Sequence, residues 1–123
     1  MDIVELAATS GTLKVRVIDE SWVHLVFVQD GIERELGAET LKYIVEHLRA
    51  FLQRPAQQPK WVLSLAETHV SFYGSASAGG TLLRLQDKNA AFFADLELSE
   101  GEKEEWLASL NSTHFKISGR AND

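Results

Sequence analysis

Residues 39–53, ETLKYIVEHLRAFLQ, decide the fold. Leu41, Ile44, Val45, Leu48, Phe51 and Leu52 recur at three- and four-residue spacing, which at 3.6 residues per turn gathers them into one apolar stripe. Glu39, Lys42, Glu46, Arg49 and Gln53 fall on the opposite face. A helix of this kind needs an apolar surface to lie on, and both flanking stretches read as runs of short strands. Glu39 is expected in the first turn, where the helix dipole favours an acid, with Arg49 and Arg54 near the other end by the same logic. Residues 54–60 (RPAQQPK) end the helix, because Pro55 disfavours helical geometry in the residue before it and Pro59 repeats the stop.

Upstream, residues 2–8 (DIVELAA) read as a first strand or as a short helical turn, and Thr9, Ser10 and Gly11 punctuate. Residues 12–18 (TLKVRVI) alternate, with Leu13, Val15 and Val17 on one face and Lys14 and Arg16 on the other, as in a half-buried strand. Residues 22–28 are apolar on both faces except at His24, which predicts a strand central to its sheet. Asp19, Glu20 and Ser21 suit the turn between these two strands. Asp30 and Gly31 both tolerate the positive φ of a primed hairpin turn, so residues 32–36 become the antiparallel partner of 22–28. Gly37 and Ala38 then lead into the helix.

Downstream, strand signals cover residues 61–66, 69–73, 81–86 and 92–98, with turns at 67–68, 74–80 (GSASAGG) and 87–89. A second helix is expected from residue 100 to about residue 110. Ser99 with Glu102 forms its capping box, and Glu100, Glu102, Glu104 and Glu105 crowd its positive end. Only Trp106, Leu107 and Leu110 are available to bury, which predicts a narrow contact. Residues 113–117 suggest a last strand, and residues 119–123 a flexible tail.

The pattern is therefore α+β, two antiparallel meanders each followed by a helix (ββββα-ββββα), in one domain over 1–118 with halves at 1–54 and 60–111. VIDESWVHL (17–25) is similar to SLAETHVSF (64–72), and ELGAETLKYIVEHL (35–48) to ELSEGEKEEWLASL (97–110). The two matches differ in offset by one strand with its turn, which leaves duplication and chance matching both open. The order of elements resembles that of the whirly transcription regulators and the PUR repeats, a resemblance that implies single-strand nucleic-acid binding. The lysine-rich KGKAAL-type motif of whirly proteins has no counterpart here, the nearest basic strand segment being Lys14 with Arg16, so no binding residue follows from it.

A chain of 123 residues with 45% hydrophobic content suits one domain with an ordinary core. Its 12 basic and 18 acidic residues give a net charge of -6, which repels phosphate backbones and disfavours nucleic acid outside a local basic groove. Without cysteine it can form no disulfide, thiolate metal site or thiol nucleophile, which fits a reducing compartment. The N-terminal residues carry acids where a signal peptide carries lysines, and no stretch approaches the roughly 20 apolar residues of a membrane span. A cytoplasmic protein that does not enter membranes is the expectation.

The four histidines, His24, His47, His69 and His114, show no metal-ligand spacing, and neither a metal nor a cofactor is expected. Ser71, Ser75 and Ser77 stand near His69 without a nucleophile elbow or a partnered acid. Residues 74–80 lack the GK[ST] ending of a phosphate-binding loop. Asp95 and Glu97 share one face of their strand, the arrangement of a solvated outer face. Aromatic and basic residues interleave thinly, Trp22 with Lys14 and Arg16, and Tyr73 with Arg84. The candidate binding residues are Trp22, His24, His69, Tyr73 and Arg84, whereas Trp61 reads as a core or domain-edge residue. The expected function is that of a non-enzymatic binding or regulatory module acting through protein–protein contact, with a partner or with its own copy. The alternatives are a single-stranded nucleic-acid-binding protein using a sheet face and a small enzyme with a cleft near residues 69–80.

Overall fold

The computed structural model describes residues 2–19, 21–65, 70–87 and 93–121. Strands β1 (Asp2–Ala8), β2 (Gly11–Val17), β3 (Trp22–Gln29) and β4 (Ile32–Thr40) form one antiparallel sheet in chain order. Helix α1 (Leu41–Gln53) follows. Strands β5 (Lys60–Ser64), β6 (Val70–Ser77), β7 (Gly80–Asp87) and β8 (Phe93–Ser99) form a second sheet, again in chain order, before helix α2 (Glu100–Ala121). The two meanders and two helices expected from the sequence are all present, and residues 2–8 resolve as strand. Among the described residues no helix is long and apolar enough to cross a membrane.

Period-two alternation sends Val4, Leu6, Leu13, Val15, Val23, Leu25 and Phe27 inward from the first sheet, and Leu63, Phe72, Leu83, Leu85, Leu96 and Leu98 inward from the second. They join the α1 stripe of Ile44, Val45, Leu48 and Leu52 in a single core cluster. At the β3–β4 turn Asp30 (φ 53°) and Gly31 (φ 78°) both adopt the left-handed conformation, as a primed turn requires.

Three boundaries differ from expectation, each for a local reason. Strand β4 does not stop at residue 36 but runs to Thr40, because a bulge between the pairs Leu25–Gly37 and Val26–Glu35 turns Leu36 into the core and lets Ala38 and Glu39 keep pairing with β3. Glu39 is therefore a strand residue, not a first-turn acid, and the cap is Thr40, whose Oγ1 accepts the Tyr43 N–H. Residues 74–77 are not loop but the end of β6, leaving Ala78 and Gly79 between β6 and β7. Small residues are needed there because the Phe51 ring lies on Gly74, where a Cβ would come within 2.2 Å of the Phe51 Cζ. Residues 113–117 are helix, not strand. Trp106, Leu110 and Thr113 follow one another at helical spacing on the buried side of α2, and the Thr113 hydroxyl donates to the Ser109 carbonyl. The helix continues to Ala121, and residues 122–123 of the expected tail lie outside the described residues, as do His69 and the turn at 67–68.

The repeat in sequence is only half matched by the repeat in structure. The 35–48 and 97–110 segments both cross from the last strand of a sheet into its helix, and their paired positions Ile44/Trp106 and Leu48/Leu110 are all buried. The 17–25 and 64–72 segments are out of step, one spanning the β2–β3 turn and the other the β5–β6 connection.

Each helix reaches across to the other half. Helices α1 and α2 pack on each other; α1 also approaches β5, and α2 approaches β1. The Trp106 indole, 1% exposed, donates its Nε1–H to the Ala7 carbonyl of β1 at 2.8 Å. One turn earlier the capping box forms as the sequence predicts, with Glu102 Oε1 accepting the Ser99 N–H and Ser99 Oγ accepting the Glu102 N–H. The second oxygen of Glu102 accepts the N–H and hydroxyl of Thr9, in the β1–β2 turn of the other sheet. These bonds, that from the Ser99 N–H foremost, hold the Glu102 carboxyl below its ordinary range, against a smaller opposing effect of burial.

Two outcomes follow. Gly74→Ala should cost about 1–3 kcal/mol in urea unfolding, and Phe51→Leu in the same chain should recover part of the loss; a Gly74→Ala chain as stable as the parent contradicts the packing described. A lowered folded pKa means that Glu102 contributes stability above its unfolded pKa and loses it as pH falls through the folded value. Glu102→Gln should accordingly lower the unfolding midpoint at neutral pH and leave it unchanged in acid below both values, as read from parallel thermal melts.

Candidate binding groove between α1 and β5

The sequence-predicted residues divide between two sheet faces. Trp22 and His24 stand on the outer face of the first sheet, and Tyr73 pairs directly with Arg84 on the outer face of the second. His69 lies outside the described residues. Trp22 is partly exposed beside Ile18 at a turn fixed by Asp19, whose Oδ1 accepts the N–H groups of Trp22 and Ser21. Those two bonds, Trp22 first, hold the Asp19 carboxyl below the usual carboxylate range.

On both faces the arginines are already committed. Arg84 makes a two-pronged bond to Asp95 of β8 (2.9 and 3.2 Å), which raises the guanidinium pKa further. Arg16 makes another to Glu33 (2.6 and 3.0 Å). Arg16 stands in the row of His24 and Glu33 in the row of Val28, so this pair crosses β3 over Val26, which is 1% exposed although it faces outward. His24 Nδ1 lies 3.6 Å from Glu35, too far for a hydrogen bond. Asp95 and Glu97 do share the outer face as expected, but Asp95 is taken up by Arg84. Among the described residues no three acids or histidines converge as metal ligands.

A cleft of about 690 Å³ lies between the β1–β2 turn, the β6–β7 turn and the start of α2. Its perturbed group is Glu102, and the perturbation makes it a weaker base and a poorer proton donor near neutrality. The carboxylates Glu102 and Asp95 along its wall are both spent on structural partners.

A groove of about 390 Å³ runs between α1 and the edge strand β5. Helical spacing stacks Tyr43, His47 and Phe51 toward that edge. His47 Nδ1 lies 2.8 Å from the Tyr43 carbonyl. A carbonyl only accepts, so Nδ1 carries the proton and the Nε2 lone pair is left over in the neutral ring. The His47 ring lies 4.0 Å from the Tyr43 ring and meets Trp61 edge-on at 5.9 Å. Trp61 donates its Nε1–H to Ser64 Oγ (2.8 Å), which in turn bonds Ser71 Oγ (2.9 Å), while the Ser64 N–H donates to the Tyr43 hydroxyl (3.2 Å). The polar edge of Trp61 is thus satisfied while 51% of the residue stays in solvent. Arg54, the C-cap of α1, and Lys60, the first residue of β5, stand exposed at the groove's lip. The connector between them is tied to the second sheet by the Ala76 N–H donating to the Ala56 carbonyl at 2.6 Å.

Tyr73 and Arg84 are brought together as the strand order predicted; Trp22 and His24 lie on the other sheet and join no common site with them. Trp61 and His47 line this groove, and the sequence reading singled out neither as a binding candidate. A signal existed in the spacing of Tyr43, His47 and Phe51 beside the apolar stripe, but nothing local shows that this face of the helix looks at the edge of the second sheet. No family model, curated protein or solved structure matches this chain, and its likeness to whirly and PUR proteins stays at the order of elements.

Proposed function

We propose that this chain is a non-enzymatic binding module that acts through protein–protein contact, holding a segment of its partner in the groove between α1 and β5. The observation that carries this reading is Trp61, a rigid aromatic side chain whose N–H is bonded internally and which stays half exposed to solvent. Covering about 100 Å² of such a ring is worth about 2–3 kcal/mol, the scale of an interface hot spot. The aromatic wall of Tyr43 and His47 holds it in place, so little conformational freedom is lost on binding.

Single-strand recognition on a sheet face is the weaker reading, because Arg16 and Arg84 would have to surrender carboxylate partners to reach phosphates. Catalysis in the larger cleft is weaker still, because the pKa of Glu102 moves away from neutrality.

A random peptide library panned against the folded protein separates these readings. Selected peptides should bind Trp61→Ala at least about tenfold more weakly than the parent and should bind Trp22→Ala unchanged. Peptides that bind Trp61→Ala as well as the parent would place the contact elsewhere, and salt-sensitive capture of oligonucleotides in place of peptides would favour the rival.

A further inference from the structure

We infer that the segment held in this groove is acidic, a short peptide that lays one apolar side chain against Trp61 and places neighbouring carboxylates between Arg54 and Lys60. The inference rests on the reading of the groove as a protein-binding site and adds the chemistry of what it holds.

Charge is left uncompensated at one end of the groove. In a chain with 18 acids and 12 bases, three of the cations are matched by a carboxylate, Arg16 by Glu33, Arg84 by Asp95 and Lys103 by Glu100. Arg54 and Lys60 make no such pair among the described residues, although both are exposed and both border the same groove. Backbone geometry holds them there. The Arg54 N–H is bonded to the Phe51 carbonyl as the helix ends, and Lys60 opens β5 directly after Pro59.

Two opposing charges must be weighed. The C-terminal pole of α1 points at this end and carries about half a negative charge, which is smaller than the two full cations beside it. Glu46 also lines the groove, but it sits eight residues before Arg54, or about 12 Å along the helix. The groove is therefore polar along its length, negative toward Glu46 and positive toward Arg54 and Lys60. A bound segment is oriented by that gradient, with its carboxylates at the end of α1. His47 lines the groove between the two ends. A single nucleic-acid strand fits less well, because beyond these two cations it would run over Glu46 or out onto a surface with an excess of acids.

The test uses blocked synthetic peptides with one phenylalanine flanked by aspartates, by asparagines or by lysines, together with oligothymidylate. Each is titrated against the full chain and followed by anisotropy of a label on the probe. At low salt the aspartate peptide should bind about tenfold tighter than the asparagine peptide, and the margin should shrink as salt rises. The double variant Arg54→Gln/Lys60→Gln should abolish the margin without changing affinity for the asparagine peptide. Equal, Trp61-dependent binding of the aspartate and asparagine peptides would overturn this inference and leave the groove reading standing. Absence of Trp61-dependent binding by every peptide would overturn both. Oligothymidylate binding in the groove more tightly than the aspartate peptide would also overturn the inference, by making the ligand a nucleic acid.

Discussion

A buried indole needs an acceptor, and Trp106 finds one where α2 crosses to the first sheet. Its Nε1–H ends on the Ala7 carbonyl, 99 residues away in sequence, and an unpaired N–H at that depth would cost about 1–3 kcal/mol. The ring itself is among the largest fully buried side chains. Glu102, one turn earlier, fixes the direction of approach by capping its own helix and gripping Thr9 with the same carboxylate. Neither four-stranded sheet can cover its apolar face alone, and this docking makes one core out of two half-covered surfaces.

The groove is a by-product of the same arrangement. With α2 occupying β1, α1 lies beside β5, its Phe51 on Gly74 and its Tyr43 hydroxyl on the Ser64 N–H. The edge of the second sheet is therefore lined by helix without being fully covered by it. Trp61 projects where the cover stops. Two prolines in the connector keep Arg54 and Lys60 from folding back, so the positive end of the groove is a consequence of how the helix is terminated.

Much of the architecture was legible because it is encoded locally. Alternation at Leu13 and Val15, the Asp30-Gly31 turn, the α1 stripe and the Ser99–Glu102 box each act within a few residues, whereas Val17, expected on the same face, is exposed at the end of its strand. What was not legible depends on a distant partner. The run GSASAGG reads as a loop until the Phe51 ring is placed above Gly74, and β4 reads as ending at residue 36 until the bulge against Leu25 and Val26 is known. The threonine and phenylalanine at 113 and 115 suggest a strand, but a well-capped helix already running past Leu110 continues through them. The site shows the same division. Strand order was enough to bring Tyr73 beside Arg84, whereas the role of Trp61 depends on where a helix from the other half comes to rest.

Native-state hydrogen exchange on the parent and on Trp106→Phe, which keeps an aromatic ring but deletes the N–H together with the five-membered ring, tests most directly whether the two sheets are one unit joined through α2. The slowest amides of β2 and β3 should open with the same free energy as those of β6 and β7, and the substitution should lower both by the same amount. Separate opening free energies for the two sheets, or a loss of protection confined to one of them, would contradict it.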